Sequence, residues 1–169
     1  NAHNITPKMK YDINTFINKV RVHEGLVLTV YKDTLGIDTI GIGRNLQDRG
    51  ISKEELDHMD IPSMDAVYEH GITEEDAYYL ATNDIAIVEK ELARAKPCVY
   101  DLDAVRQLIV MDMAFNMGVP RLCKFKKMWA AIEAGDFDTA SVEMLDSRWA
   151  RQVKSRATKL SDAMKKGEF

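Results

Sequence analysis

The stretch Glu24-Gly25 … Tyr31-Lys32-Asp33-Thr34-Leu35-Gly36 … Thr39-Ile40-Gly41-Ile42-Gly43 decides how this chain is read. Within twenty residues it gathers four glycines together with Glu24, Asp33 and Thr39. β-Branched residues set between glycines predict a tight hairpin or small sheet over 26–43. Upstream, Ile13, Phe16, Ile17 and Val20 recur at helical spacing, so 11–24 reads as a helix that Gly25 stops. A helix that ends on a carboxylate and runs straight into a hairpin puts Asp33 near one strand end and Thr39 on the returning strand. Two carboxyls held across a small gap are what acid–base cleavage of a glycosidic bond requires.

Each of the three residues also has a plainer reading. Glu24 in a last helical turn faces the negative end of the helix dipole, at a cost of roughly a few tenths of a kcal/mol. That field, with any burial, favours the protonated acid, as a proton donor near neutral pH needs; the plainer reading is a solvated side chain at a frayed helix end. Asp33-Thr34-Leu35-Gly36 reads equally as an ordinary turn, with Asp33 satisfying backbone N–H groups and Gly36 at positive φ. Thr39 alone is an ordinary strand residue. Their joint spacing singles them out.

Beyond this run, residues 44–72 are polar and mixed and predict loops with one or two short helices, for example 52–59. Thr73-Glu74-Glu75-Asp76 supplies an N-cap and first-turn acids, and Leu80, Ala81, Ile85, Val88 and Leu92 follow at helical spacing, predicting a helix to about Ala95. A second helix, from Asp103 to Met117, is apolar almost all round and reads as the buried centre of a helical lobe. Asp112 lies within it and needs a partner if buried. Helices are expected at 125–134, 137–146 and 148–166. No repeat, low-complexity tract or Pro/Ser-rich linker divides the chain.

Glu24, eight residues, Asp33, five residues, Thr39, then Gly41-Ile42-Gly43 resembles the signature of the T-even phage lysozymes, the muramidases of glycoside hydrolase family 24. Ile72-Thr73-Glu74-Glu75-Asp76-Ala77, Val99-Tyr100-Asp101-Leu102-Asp103-Ala104-Val105-Arg106, Phe115-Asn116-Met117-Gly118 and Ser147-Arg148-Trp149 look like family landmarks in the family's order. The resemblance covers roughly residues 11–165. With the pattern above it implies an α+β, phage-lysozyme-like fold, one lysozyme domain over 1–169 in two lobes. A small N-terminal lobe with a β-hairpin or sheet (about 11–72) is joined by a long helix (73–95) to a helical C-terminal lobe (96–169).

The activity implied is hydrolysis of the β-1,4 bond between N-acetylmuramic acid and N-acetylglucosamine, with inversion. Glu24 would protonate the leaving oxygen, Asp33 stay ionised opposite, and Thr39 help hold the attacking water. Arg156 lies where the family carries an arginine that contacts the catalytic Glu; otherwise it is one of several cations on the last helix. Phe115 and Asn116 resemble a cleft-lining Phe and its amide neighbour, with Phe115 as pure core the alternative. Arg148 and Asn45 are the other candidate sugar contacts, whereas Trp149 reads as core. The chain departs from the family at Arg44, where His is common, at Asn45, where an apolar residue is usual, and at Met128 and Glu143, where small polar groups contact sugar.

Composition narrows the alternatives. The 169 residues are 46% hydrophobic, enough for one real core. No apolar run approaches the length of a membrane span. The polar stretch 1–14 has no signal core, so the expected location is the host cytoplasm before release to the periplasmic wall, with a holin-type membrane permeabiliser or a virus particle delivering it. The start at Asn1 fits a trimmed chain or one excised from something larger. Residues 121–169 carry 11 Lys/Arg against 7 Asp/Glu and residues 1–120 carry 12 against 20. That asymmetry suits an anionic wall polymer or a solvated helix face; without a basic stripe interleaved with aromatics it does not suit nucleic acid. Four scattered histidines and two cysteines 25 positions apart predict no metal site, cofactor or disulfide. Without a coiled-coil heptad, a monomer is expected. The competing readings are a tail-associated lysozyme domain for cell entry, a lytic transglycosylase, and a non-catalytic wall-binding homologue. Retention of both Glu24 and Asp33 disfavours the last two.

Overall fold

A computed structural model describes residues 7–169 of the chain. These divide into two compact units, one of residues 12–86 and one formed by residues up to Tyr11 together with 87–169.

The sheet unit opens with helix α1 (Ile13–Glu24), capped by Asp12, whose Oδ2 accepts the Thr15 N–H at 3.0 Å. Phe16, Ile17 and Val20 of α1 are buried, as their spacing requires. Three antiparallel strands follow in sheet order β1 (Val27–Lys32), β2 (Asp38–Gly41) and β3 (Arg44–Asn45). Tyr31 faces Thr39 and Lys32 faces Asp38 across the first pair, with an irregularity between Val27 and Tyr31. Thr39 faces Asn45 and Ile40 faces Arg44 across the second. Helices α2 (Lys53–His58) and α3 (Met64–His70) fill the mixed segment. The 52–59 expectation is met by α2, which Ser52 and Glu55 close with a reciprocal capping box.

Helix α4 (Glu74–Ala95) belongs to both units, its first part to the sheet unit and its part from Ile87 to the other. Its start is the capped one expected. The Asp76 N–H donates to Thr73 Oγ1 at 3.0 Å and the Thr73 N–H to Asp76 Oδ2 at 3.1 Å.

The helical unit continues through a 3₁₀ turn (Pro97–Asp101) into α5 (Ala104–Met117), α6 (Val119–Leu122), α7 (Lys126–Glu133), α8 (Phe137–Leu145), α9 (Arg148–Val153) and α10 (Ser155–Lys166). All residues from Gln107 to Ala114 are buried, so α5 is the central helix its composition predicts. It packs on α10, and α8 packs against both α7 and α10. Trp129 and Trp149 are buried, with indole N–H groups donating to Leu122 O at 3.0 Å and Asn116 Oδ1 at 2.9 Å. Arg106 of α5 closes the end of α10. Its guanidinium donates to Met164 O and Lys165 O and lies 3.6 Å over the Phe137 ring.

Two features depart from the sequence reading. The single helix expected over 148–166 is broken at Lys154, which stands at φ 49°. The break lets α9 and α10 pack separately against α8, so that Trp149 and Leu160 are both buried. Lys10 and Tyr11 also belong to the helical unit. The Lys10 backbone N–H donates to Gln107 Oε1 at 2.7 Å, its Nζ donates to Leu102 O at 2.8 Å, and the Tyr11 hydroxyl donates to Glu89.

Candidate active site

Glu24, Asp33 and Thr39 all lie in the sheet unit, each placed by a different local device. Glu24 is the last residue of α1. Gly25, at φ 80°, ends the helix there, with its N–H returned to Arg21 O at 2.8 Å. The Glu24 side chain is exposed and lies against the backbone of Gly43. A Cβ built on Gly43 would stand 3.1 Å from Glu24 Oε2 and 3.4 Å from its Cβ and Cγ, and Gly43 is at φ 74°. Glycine is therefore needed twice over, for the left-handed backbone and for the space the carboxyl occupies. Arg21, in the same last turn, is turned to Glu74 and Tyr78, donating to them at 3.0 and 2.7 Å.

Asp33 is both the turn residue and the acid. Its Oδ1 accepts the N–H groups of Leu35 at 2.8 Å and Ile37 at 2.9 Å, while its own N–H donates to Ile37 O. The turn-forming role thus uses one carboxyl oxygen and leaves Oδ2 outside these bonds. Thr39 is 4% exposed and donates its hydroxyl proton to Ile37 O at 2.9 Å. With its proton committed, Thr39 Oγ1 acts toward a ligand or water as an acceptor.

The register sets Tyr31, Thr39 and Asn45 in one row across three strands, on a common face of the sheet. Tyr31 is half-buried, and its phenol is pushed above its ordinary range by burial and then by the negative charges of Glu24 and Asp33. Asn45 shows a turn role of its own, its Oδ1 accepting the Gln47 and Asp48 N–H groups at 2.9 and 2.7 Å.

The departure at Arg44 has a clear structural outcome. Arg44 is 2% exposed and forms a two-pronged pair with Glu55, at 2.9 and 2.8 Å. It also donates to Asp84 at 3.2 Å and to the carbonyls of Gly50 and Leu80 at 3.0 and 3.2 Å. Asn83 donates to Glu55 Oε2 at 2.9 Å, and Arg49 pairs with Asp84. Burial pushes the Glu55 carboxyl up, but the bonds from Arg44, Asn83 and Ser52 outweigh it and hold the group down at about 2. This buried ion network grips the chain one residue beyond Gly43, and so fixes the turn on which Glu24 rests.

The remaining candidates fall in the helical unit. Phe115 is half-buried in the last turn of α5, and Asn116 is exposed there, its carbonyl holding the Trp149 indole. Arg148 is exposed at the first position of α9, after the N-cap Ser147. It lines a cavity of about 750 Å³ with Phe125, Met128, Glu143 and Trp149, so Met128 and Glu143 share a pocket wall as well as a departure from the family. Arg156 pairs with Asp112, giving that acid the partner its burial demands. Among the described residues no group of three His, Cys, Asp or Glu side chains could hold a metal ion, and Cys98 and Cys123 are both free thiols. Among the same residues, no helix is long and apolar enough to cross a membrane.

The sequence reading missed the place of Tyr31 opposite Thr39 and the Arg44 network. Tyr31 had a usable signal, since it precedes Asp33 by two in a strand of alternating faces.

Comparison with known proteins bears on the whole chain. The pre-baseplate central spike protein Gp5 of Enterobacteria phage T4 is 31% identical over 156 residues, covering 84% of this chain but 26% of the spike protein, so the chain spans about a quarter of that relative's length. The probable T4-type lysozymes 1 and 2 of Dictyostelium discoideum are 28% and 26% identical, each covering 92% of this chain and 96% of its own length. The phage lysozyme family profile matches residues 21–165, and the chain therefore belongs to the phage lysozyme family, a family of glycoside hydrolases.

Proposed function

We propose that this protein is a peptidoglycan muramidase that hydrolyses the β-1,4 bond between N-acetylmuramic acid and N-acetylglucosamine with inversion. The observation that carries the reading is the disposition of the sheet unit. A carboxyl at a helix end is backed by a glycine turn, and a second carboxyl has one oxygen committed and one outside the turn bonds. The threonine on β2 has its proton committed and can only accept. Glu24 donates the proton to the leaving oxygen. Asp33 Oδ2 takes one proton from a water as its oxygen bonds to the anomeric carbon and the glycosidic C–O bond breaks, while Thr39 Oγ1 holds the other hydrogen in a hydrogen bond. Asn45, Phe115, Asn116 and Arg148 are proposed sugar contacts, and Arg156 a supporting cation for the acid, on the family likeness. The protein acts as a monomer on glycan strands and needs no cofactor.

Glu24→Gln removes the proton donor and keeps the shape. Clearing of outer-membrane-stripped Gram-negative cells should fall more than a hundredfold while the circular dichroism spectrum is unchanged. Full activity in that variant would end the assignment. Product analysis by mass spectrometry separates hydrolysis from transglycosylation, since only the latter yields an anhydro-sugar.

In the phage setting the enzyme is an endolysin, held in the host cytoplasm and released to the periplasmic wall through a holin-type permeabiliser. The likeness to the Gp5 spike protein favours a second deployment, a tail-associated lysozyme domain used at entry. Immunoblotting of purified virions for this chain distinguishes the two.

A further inference from the structure

The geometry points to Tyr31 as a substrate-contacting residue of the Glu24–Asp33–Thr39 site, its hydroxyl donating a hydrogen bond to the saccharide at the scissile bond. The inference rests on the muramidase reading and extends it to a residue outside the acid–acid–threonine set.

Three independent placements converge on this tyrosine. Strand register puts Tyr31 directly opposite Thr39, and directly opposed side chains stand on one face of a sheet. The ladder continues one step past the strand, because the Asp33 N–H donates to Ile37 O at 3.0 Å. Asp33 therefore keeps the strand's alternation and projects, two residues on, to the face that Tyr31 occupies. Glu24 reaches the same hairpin, its carboxyl lying against Gly43 between β2 and β3, and burial, then the charges of Glu24 and Asp33, push the phenol up.

Donor inventory then says what the site lacks. Thr39 has spent its only proton on Ile37 O, and an ionised Asp33 is an acceptor throughout. Apart from the proton that Glu24 gives up in the reaction and the Asn45 amide at the far end of the row, the acid and the threonine offer no hydrogen to a sugar oxygen. The Tyr31 hydroxyl makes no hydrogen bond among the described residues, and burial, then the charges of Glu24 and Asp33, push it above its ordinary range, so it is a protonated donor near neutral pH. A phenol oxygen also stands several atoms further from the sheet than a threonine Oγ1. Water held at Thr39 would sit below it, and the sugar being attacked would sit at its height.

Tyr31→Phe deletes the donor and nothing else. On soluble peptidoglycan strands the variant should lose about tenfold in kcat/KM, as expected for one neutral hydrogen bond. Its thermal midpoint should match the parent's, and both limbs of its pH–rate profile should stay in place, because the phenol does not titrate there. An unchanged kcat/KM would overturn the inference. So would a loss accompanied by a lowered thermal midpoint, which means a structural role, or by a displaced pH limb, which means that the hydroxyl acts through a carboxyl. Glu24→Gln assayed alongside separates the two levels. If it is inactive while Tyr31→Phe is fully active, the muramidase reading stands and Tyr31 is excluded; if it is active, that reading itself fails.

Discussion

Each unit ties an arginine to a buried acid, Arg44 to Glu55 and Arg156 to Asp112, and the two pairings are built differently. In the sheet unit, Arg44 spends its guanidinium on two carboxylates and two carbonyls from α2, α4 and the loop between β3 and α2. In the helical unit, Arg156 pairs with Asp112 between α10 and α5, and its Nε is buried without a hydrogen-bond partner among the described residues. The first is a knot that ties three segments behind the turn under Glu24. The second is a single link between two helices already packed by apolar contacts. A buried charge repays its desolvation only when its remaining donors are satisfied, so the first cluster should be much harder to lose a member from.

The sharpest way to break this comparison is Arg44→Leu, which leaves Glu55 and Asp84 buried with less compensation. Urea unfolding should show a loss of about 3–5 kcal/mol. Arg44→Lys keeps the charge without the fork and should recover only part of that loss. Next in size comes acid sensitivity. The Glu55 carboxyl is held at about 2 against an ordinary value of 4.5. A depressed folded-state value means that this stabilisation is full above about 4.5 and drains away as pH falls toward about 2. Stability curves at pH 7, 4 and 3 should therefore fall more steeply for the parent than for Glu55→Gln; parallel curves would contradict the network's role. The smallest effect belongs to the helical unit. Asp112→Asn keeps an acceptor for Arg156 and should cost roughly 1–3 kcal/mol. A cost equal to that of Arg44→Leu would erase the distinction between knot and link.

What could be read from the residues follows the range of the interactions concerned. The helix to Glu24, the Asp33 turn and the capped start of α4 rest on bonds spanning two to five positions, so their signals are written consecutively. The order of the acids and the threonine was legible for the same reason. Arg44 was not, because its acid partners are 11 and 40 positions away and neither identifies itself locally. Asn45 reads as a sugar contact, and its carbonyl oxygen serves the following turn, which leaves its amide NH2 for that contact. The break at Lys154 was hidden because Arg-Gln-Val-Lys-Ser-Arg contains no glycine or proline, and packing against α8 overrode helical propensity.

The docking of Lys10 and Tyr11 onto Gln107, Leu102 and Glu89 makes the helical unit discontinuous in the chain, with the sheet unit interposed. During synthesis the interposed unit has all its residues once Ala86 has left the ribosome. The other must keep its opening segment undocked until α5 emerges, and cannot close until the carbonyls of Met164 and Lys165 reach Arg106. The unit that bears the proposed acids is thus the one able to mature first, and a ribosome-stalled chain just long enough for Ala86 to have left the exit tunnel should already protect the amides of β2 from exchange.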